Sequence, residues 1–280
     1  MPVLTEKIAE VNWEFAEEDT QYLTHNNHRY SGKFIPQIAK KVIELLTSEN
    51  DVICDSYMGS GTTLLEAQLL KRHSVGIDLN PLAVLISKCK NLHFSDDAYN
   101  CLNNTLIPNL DVLIYPDQLP MFSGLTGRTH AEDWRLQDAW HKKWFQPDVL
   151  EKLVIIYEQI QLLQCPEAQL IATVSFSDVL RKFSNASTKY PNVMFDKNAP
   201  KKSLPYKSFL ETLRRNIEGL IKLKTKQIPE RFQPNIIEGT NLSIPLNDDS
   251  IDAIITHPPY IAAIPYAEYG SLSLGWLGYD

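Results

Sequence analysis

Short apolar runs alternate with amphipathic stretches over the first 90 residues of the chain. The apolar runs at 51–54 and 74–77 are flanked by polar turns, which predicts two strands. The amphipathic stretches predict helices over 36–46, 62–71 and 81–90. Asn80 followed by Pro81 is typical of a helix start, because asparagine caps the helix and proline suits its first turn. Strands that alternate with helices in this way predict a parallel sheet covered by helices.

A different pattern occupies residues 95–234, where apolar positions recur mainly with helical periodicity. Two amphipathic stripes are Leu150, Leu153, Tyr157, Ile160 and Leu163, and Leu210, Leu213, Ile217, Leu220 and Ile221. We expect both stripes to be core, with the polar stretch 184–208 between them as a long loop. Strand patterns return at 235–237 and 251–256. The sequence therefore predicts an α/β fold in which 1–94 and 235–280 are two halves of a sheet domain and 95–234 is a mainly helical insertion.

The composition is that of an ordinary globular protein, with 44% hydrophobic and 22% charged residues. No apolar run reaches the length of a membrane span, and the first twenty residues are acidic without an apolar segment. We therefore expect no membrane association and a cytoplasmic location. The four cysteines have no C-x-x-C spacing, and no metal site is predicted.

The net charge of −7 conceals one basic segment. Residues 181–231 contain 13 Lys and Arg against 4 Asp and Glu, whereas the rest of the chain is acidic. Such a segment binds phosphates by releasing counterions even in an anionic protein, or it is a solvated helical face. Charge alone does not choose between these two interpretations.

A glycine-rich loop joins the first predicted strand to its helix. Asp55 ends the strand, and Gly59-Ser60-Gly61 precedes the helix start at Thr62 and Thr63. Such a loop either lets the backbone approach a nucleotide-like cofactor or is only a tight turn. The Gly-Lys-Ser/Thr of a P-loop and the third glycine of a dinucleotide fingerprint are both missing. The next strand ends at Asp78, where an acidic side chain is suited to bind both hydroxyls of a ribose.

Three motifs resemble those of the S-adenosylmethionine-dependent DNA amino-methyltransferases, which modify cytosine N4 or adenine N6. The segment 55–63 (DSYMGSGTT) resembles the cofactor motif, 257–260 (HPPY) resembles the catalytic (Asp/Asn/Ser)-Pro-Pro-(Tyr/Phe/Trp), and 24–43 is similar to the segment before the glycine loop. The resemblance implies a Rossmann-like methyltransferase sheet, S-adenosyl-L-methionine as cofactor and double-stranded DNA as substrate. The cofactor-binding residues that it implies are Tyr30, Lys33, Phe34, Asp55, Tyr57, Met58, Gly59, Ser60, Gly61, Thr62, Thr63, Asp78, Leu79, Thr240 and Asn241.

The resemblance also implies roles for the catalytic residues His257, Pro258, Pro259 and Tyr260. Tyr260 would stack on a base flipped out of the duplex. The prolines fix the backbone, so that the Pro258 carbonyl and the preceding side chain both face the amino nitrogen that receives the methyl group. Thr256 before the motif favours cytosine N4 slightly over adenine N6.

This chain departs from the family pattern at two positions. His257 replaces Asp, Asn or Ser, and an imidazole accepts one hydrogen bond when neutral and none when protonated. We therefore expect impaired or altered catalysis, unless His257 only closes a strand. Thr240 replaces an acidic residue at the third strand end, which weakens the expected contact with adenine.

The chain also supplies only four clear strands for a sheet that has seven in the family, so we expect a C-terminal continuation or a second polypeptide to complete the sheet. The insertion is then the expected target-recognition region, with a DNA-binding basic loop made of Arg181, Lys182, Lys189, Lys197, Lys201 and Lys202. The expected function is a restriction-modification or orphan DNA methyltransferase, in the former case beside a cognate restriction endonuclease. An RNA or other amino-methyltransferase and a catalytically inactive DNA-binding subunit are the alternatives.

Overall fold

A computed structural model describes residues 4–114, 133–190, 192–260 and 265–279 of the chain. The protein divides into two compact units. The first contains residues 1–93 and 219–264, and the second contains residues 94–218 and 265–280. The second unit thus takes in the end of the chain, whereas the sequence grouped 235–280 as one region. The functional roles predicted for segments 1–94, 95–234 and 235–280 stay predictions.

The first unit is built on a four-stranded parallel sheet. Its strands are β1 (Val52–Asp55), β2 (His73–Asp78), β3 (Asn235–Glu238) and β4 (Ala253–Ile254). Their spatial order is β3-β2-β1-β4, and every neighbouring pair is parallel. The predicted α/β fold is therefore confirmed, with an arrangement that fits the methyltransferase fold. The two late strands lie at opposite edges of the pair formed by the two early ones.

The described part of the first unit contains four whole α-helices, α1 (Leu4–Ala9), α2 (Pro36–Leu46), α3 (Thr62–Leu69) and α4 (Pro81–Lys90). The bounds of α2 and α4 are those predicted. At α4, Asn80 Oδ1 accepts a hydrogen bond from the amide of Leu82, so the predicted cap is present. Helix α3 ends two residues before the predicted position, where Lys71 takes a positive φ of 60° and turns the chain into β2.

Strand β4 is shorter than the predicted 251–256. Its ladder with β1 continues one residue beyond the strand, because the Ile255 amide donates to the carbonyl of Cys54. The following residue, Thr256, uses its side chain to bond with β1 instead. The chain leaves the sheet at this position and enters the Pro-Pro motif.

The second unit is helical among its described residues. Its whole α-helices are α5 (Asp96–Cys101), α6 (Ile107–Ile114), α7 (Ala139–Trp144), α8 (Pro147–Gln161), α9 (Pro166–Phe183) and α11 (Tyr266–Leu277). The unit also contains residues 205–218 of α10 (Pro205–Lys224). A π-helical turn, Leu102–Leu106, joins α5 to α6. The ring of Trp276 in α11 is 1% exposed and contacts Phe145 and Phe176 with centroid distances of 5.2 and 5.3 Å. This aromatic packing forms the centre of the unit.

The predicted apolar stripes are buried with two exceptions. Leu150, Leu153, Ile160, Leu163, Leu210, Leu213, Ile217 and Leu220 are all core residues. Tyr157 is half-buried. Ile221 is 40% exposed, so its assignment to the core is wrong. It follows Leu220 directly and is therefore rotated about 100° around the helix, away from the buried face.

Residues 184–190 and 192–204 lie in the predicted long loop, whose last predicted residues, 205–208, instead begin α10. Two isolated antiparallel bridges, Phe145 with Ser184 and Ala186 with Phe195, fix the loop. None of the helices in the described part of the chain combines the length and apolarity needed to cross a membrane.

Candidate active site

The glycine loop, residues 55–61, connects β1 to α3. Gly59 and Gly61 have positive φ of 50° and 75°, which residues with a Cβ atom rarely adopt. Gly61 is the last residue before α3. The first amides of a helix have no acceptor in a preceding turn, so they are suited to bind a polar or anionic ligand.

Neighbouring side chains also require both glycines. A Cβ atom on Gly61 would lie 2.2 Å from Ser87 Oγ in α4, and one on Gly59 would lie 3.1 Å from the ring of Tyr30. The loop is therefore held between α4 and the N-terminal segment. Tyr30 lies against the glycine loop, the position that its predicted role requires.

Asp78 organises the glycine loop from the end of β2. Its Oδ2 accepts a hydrogen bond of 2.9 Å from the Gly59 amide, and its Oδ1 accepts one of 2.8 Å from the Asn80 amide. Burial raises the pKa of the Asp78 carboxyl, and the backbone hydrogen bonds oppose that rise. Each carboxylate oxygen has two lone pairs, so the predicted bonds to a ribose would be shared with these amides. Leu79 beside it is 73% exposed, an apolar surface at the same strand end.

Asp55 connects the glycine loop to the Pro-Pro motif. The carboxylate is 3% exposed, and its Oδ1 accepts hydrogen bonds from the Tyr57 amide at 3.2 Å and from Thr256 Oγ1 at 2.8 Å. Burial raises the pKa of Asp55, whereas the hydrogen bonds from Thr63, Thr256 and Tyr57 lower it. Thr256 immediately precedes the motif. The two predicted halves of the site therefore meet at the carboxyl edge of one sheet, where parallel α/β proteins bind ligands.

His257 lies between two aromatic rings. Its ring centroid is 4.5 Å from that of Phe34 and 4.9 Å from that of Tyr260. Its Nε2 is 2.7 Å from the hydroxyl oxygen of Tyr260. In either tautomer this hydrogen bond occupies Nε2, so that atom is not free to accept a hydrogen from a target amine. Tyr260 is 52% exposed.

Two further predicted residues meet beside the glycine loop. Asn241, after β3, donates a 2.6 Å hydrogen bond from Nδ2 to the hydroxyl oxygen of Tyr57. Thr240 Oγ1 accepts from the amide of Leu242, which forms a turn. The ends of β1, β2 and β3 thus all carry predicted cofactor residues.

Some predicted cofactor residues have side chains that serve the fold. Met58 is 3% exposed and packs in a core cluster with Leu64 and Val84. Thr62 and Thr63 are also buried. Their predicted contacts with the cofactor, which stay predictions, would have to come from the backbone. Lys33 Nζ donates to the carbonyl oxygen of His25 at 2.9 Å and so fixes the N-terminal segment.

Two predicted DNA-binding residues lie outside the basic loop. Arg181 and Lys182 are in the last turn of α9, so their assignment to the loop is wrong. Arg181 donates to the carbonyl oxygens of Tyr190 and Asn192 at 2.8 and 3.2 Å, and Lys182 Nζ donates to Ser208 Oγ at 2.7 Å. Arg181 therefore fixes the loop, whereas Lys182 contacts α10 at Ser208. The other predicted residues are in the loop: Lys189, Lys197 and Lys201 are exposed, and Lys202 is half-buried.

The loop also carries apolar side chains that sequence reasoning missed. Tyr190, Met194, Phe195 and Leu204 are each about half exposed. The ring centroid of Phe195 is 5.8 Å from that of Trp144, and Lys143 Nζ lies 5.3 Å from the Trp144 centroid and 5.6 Å from the Phe195 centroid. Basic and aromatic side chains therefore alternate over one surface of the helical unit. The alternation of lysines with aromatic residues along the loop sequence could have indicated this surface.

Comparison with known proteins supports the resemblance. Residues 5–88 match the N6/N4 family described as DNA methylase. This match, over less than a third of the chain, confirms the resemblance to the DNA methylases. The matched residues contain Tyr30, the glycine loop and Asp78.

The chain is also similar to curated proteins over most of its length. It is 26% identical to the type II methyltransferase M.MvaI of Kocuria varians, over 94% of this chain and 59% of the relative. It is 26% identical to M.BsoBI of Geobacillus stearothermophilus, over 91% of this chain and 53% of the relative. With M.MjaII of Methanocaldococcus jannaschii the identity is 35% over 29% of this chain and 16% of the relative. The chain thus spans somewhat more than half the length of these first two relatives. No solved structure matches it.

Proposed function

We propose that this chain moves a methyl group from S-adenosyl-L-methionine to the exocyclic amine of a flipped base in double-stranded DNA, at cytosine N4 or adenine N6. The observation that carries the proposal is the hydrogen bond of 2.8 Å from Thr256 Oγ1 to Asp55 Oδ1. It joins the strand end that precedes His257 to the strand end that precedes the glycine loop. Donor and acceptor of the methyl group would then meet at one sheet edge.

The residues at this edge fit the cofactor. The positive φ of Gly59 and Gly61 gives the loop its curvature, and the first amides of α3 offer hydrogen bonds to polar groups. Asp78 supplies carboxylate lone pairs for a ribose, and the exposed Leu79 supplies an apolar surface for an adenine ring. When bound, S-adenosylmethionine supplies an electrophilic methyl group on a sulfonium.

The Pro-Pro motif supports the chemistry of the acceptor. The half-exposed ring of Tyr260 is the proposed stacking surface for the base, and stacking contributes about 1–3 kcal/mol per base. The carbonyl of Pro258 would accept one hydrogen of the amine, which moves nitrogen electron density toward the methyl group. His257 Nε2 would accept the second hydrogen only after its bond to Tyr260 breaks. The use of Nε2 as an acceptor therefore requires the loss of a contact that a side chain without a ring would not make.

The basic loop is the proposed DNA contact. Exposed Lys189, Lys197 and Lys201 are suited to phosphates, and the exposed rings of Tyr190 and Phe195 are suited to bases or sugars. This combination favours a nucleic acid over a purely solvated helical face, because a solvated face does not need exposed rings. Binding that weakens with salt is the expected behaviour.

We also propose that the exposed side of β4 takes a further strand, from a continuation of the chain or from a second polypeptide. In the described part of the sheet β4 is an end strand, and Ile254 on it is 67% exposed. An apolar open edge is a liability that proteins normally cover. Restriction-modification partnership is proposed on the names of the type II relatives alone.

A binding module without methyl transfer is the second candidate. The bond between His257 and Tyr260 favours it, since that bond occupies Nε2 of the one residue that departs from the catalytic motif. Thr256 also has a structural role through its hydrogen bond to Asp55, and the slight preference for cytosine N4 stays a prediction.

Transfer of tritiated methyl groups to duplex DNA, to tRNA and to no substrate tests the proposal, with nucleosides identified by mass spectrometry. We expect N4-methylcytosine or N6-methyladenine from duplex DNA, and a faster rate for His257→Ser. Label in tRNA alone would favour the RNA alternative. Cofactor binding without label, in both wild type and His257→Ser, would favour the binding module.

A further inference from the structure

Lys90, the last residue of α4, is buried behind the glycine loop. Its side chain is among the largest that are fully buried, with 1% of the residue exposed. Its Nζ donates a hydrogen bond of 3.1 Å to Ser60 Oγ, and Ser60 is itself 2% exposed. Ser60 stands between Gly59 and Gly61. The amine therefore contacts the loop at its centre, from inside the fold.

A buried acid lies in the same region. Glu66, in α3, is 1% exposed, and its Oε1 accepts a 2.6 Å hydrogen bond from the hydroxyl of Tyr22. His25 Nε2 lies 2.7 Å from the same oxygen. The acid thus ties the N-terminal segment to the helix that starts at the glycine loop.

The N-terminal segment also contacts Lys90 directly. Thr24 Oγ1 donates a 2.7 Å hydrogen bond to the backbone carbonyl of Lys90. The charges interact as well: burial, then the charge of Lys33, lower the pKa of the Lys90 amine, and the charge of Glu66 opposes this. Three elements that border the proposed cofactor site therefore converge on one buried lysine.

Hydrophobic packing alone does not explain a lysine here. An uncompensated buried charge costs several kcal/mol, and an apolar side chain of similar length would fill the same volume without that cost. The feature of lysine that an apolar residue lacks is the hydrogen bond to Ser60.

We propose that Lys90 is a positioning residue, which acts through Ser60 to hold the glycine loop in the conformation that binds the methyl donor. This inference rests on the proposed function, because it assigns the loop to S-adenosylmethionine. Lys90 itself touches neither donor nor base. Its loss should weaken donor binding without weakening the fold.

The test compares Lys90→Met, Ser60→Ala and the double variant with the wild-type chain. Methionine keeps the apolar stem of lysine and removes the amine. Lys88→Met is the matched control, since Lys88 is an exposed lysine in the same turn of α4. The measurements are calorimetric titration with S-adenosylmethionine, thermal unfolding, and amide hydrogen exchange of 59–61 without ligand.

We expect Lys90→Met and Ser60→Ala each to bind S-adenosylmethionine about tenfold more weakly, which corresponds to about 1.4 kcal/mol. The double variant should be no weaker than either single variant, because both remove the same hydrogen bond. The unfolding temperature of Lys90→Met should be unchanged or higher. Amides 59–61 should exchange several times faster in both single variants and at the wild-type rate in Lys88→Met.

Wild-type affinity and wild-type exchange in Lys90→Met or in Ser60→Ala would overturn the proposal. Losses of affinity that add in the double variant would also overturn it. The same holds for losses of affinity that are proportional to a decrease in the unfolding temperature. If Lys90→Met does not fold, Ser60→Ala alone decides. A wild-type chain that does not bind S-adenosylmethionine would refute the proposed function, and the role of Lys90 in donor binding with it; amide exchange would then show separately whether Lys90 orders the loop.

Discussion

Substitution of Gly61 by alanine should destabilise the protein more than its backbone conformation alone explains. The φ of Gly61 is +75°, and a side chain in this region costs about 1 kcal/mol. The added Cβ would also lie 2.2 Å from Ser87 Oγ and 2.9 Å from Asn91 Nδ2. Ser87 is fully buried in α4, so relief requires movement of the helix, and overpacking of this kind costs about 1–3 kcal/mol. The expected total is about 2–4 kcal/mol.

Gly278 provides the matched control for this substitution. Its φ is +78°, nearly that of Gly61, but a Cβ atom there would meet nothing within 4 Å. Gly278→Ala should therefore cost only the conformational part, about 1 kcal/mol. The difference between the two variants measures the steric part.

Urea unfolding followed by circular dichroism gives the free energy of unfolding of each variant. Ser87→Ala removes the hydroxyl oxygen nearest to the added methyl, so Gly61→Ala with Ser87→Ala should recover part of the loss. Equal losses for Gly61→Ala and Gly278→Ala, or no recovery in the double variant, would show that the loop does not pack against α4 as described.

Three further predictions concern charge and the catalytic motif. Burial raises the pKa of Glu66 from 4.5 to about 7, so its contribution to stability is present at low pH and lost as the pH rises through about 7. Glu66→Gln should therefore raise the free energy of unfolding by about 1–3 kcal/mol at pH 8 and leave it unchanged at pH 4; a gain at both pH values contradicts this. Tyr260→Ala should lower kcat/KM for methyl transfer by about 10–100-fold through lost stacking, whereas Tyr260→Phe should not, because it keeps the ring and releases His257; equal losses in the two variants would reject the stacking role. Replacing Lys197 and Lys201 by Gln should reduce the slope of log K for duplex DNA against log salt by about 0.9 per lost phosphate contact, and an unchanged slope would remove the loop from the DNA surface.

The sequence predicted best those elements whose signals are local. The cap at Asn80, the proline after it and the apolar periodicity of 81–90 together specify α4, and its bounds were correct. The strand ends at Asp55 and Asp78 followed from short apolar runs that stop at polar residues. Parallel pairing then brings the ends of neighbouring strands to one edge without any knowledge of side-chain contacts.

The sequence could not predict contacts between distant segments. The basic character of Arg181 and Lys182 suggested that they belong to the basic loop, but both lie in the last turn of α9, where Arg181 donates to the loop and Lys182 donates to Ser208 in α10. Nothing in the apolar sequence of α4 marks its terminal Lys90 as a buried residue that contacts Ser60, thirty positions earlier. Such positions depend on tertiary packing, which overrides the surface preference of charged residues.

The bond between His257 and Tyr260 is different, because the two residues are only three positions apart. The prolines between them restrict the backbone, and an imidazole and a phenol are natural hydrogen-bond partners. The sequence could therefore have predicted this contact, but the prediction assigned both side chains only to the target base.

Photochemical cross-linking of radiolabelled S-adenosylmethionine to the wild-type chain, followed by peptide mapping, locates the donor site. The label should fall in peptides that contain the glycine loop, Leu79 or Tyr30, and excess unlabelled S-adenosylhomocysteine should prevent it. Label confined to the helical unit, or label that the competitor does not reduce, would contradict the placement of the methyl donor at the carboxyl edge of the sheet.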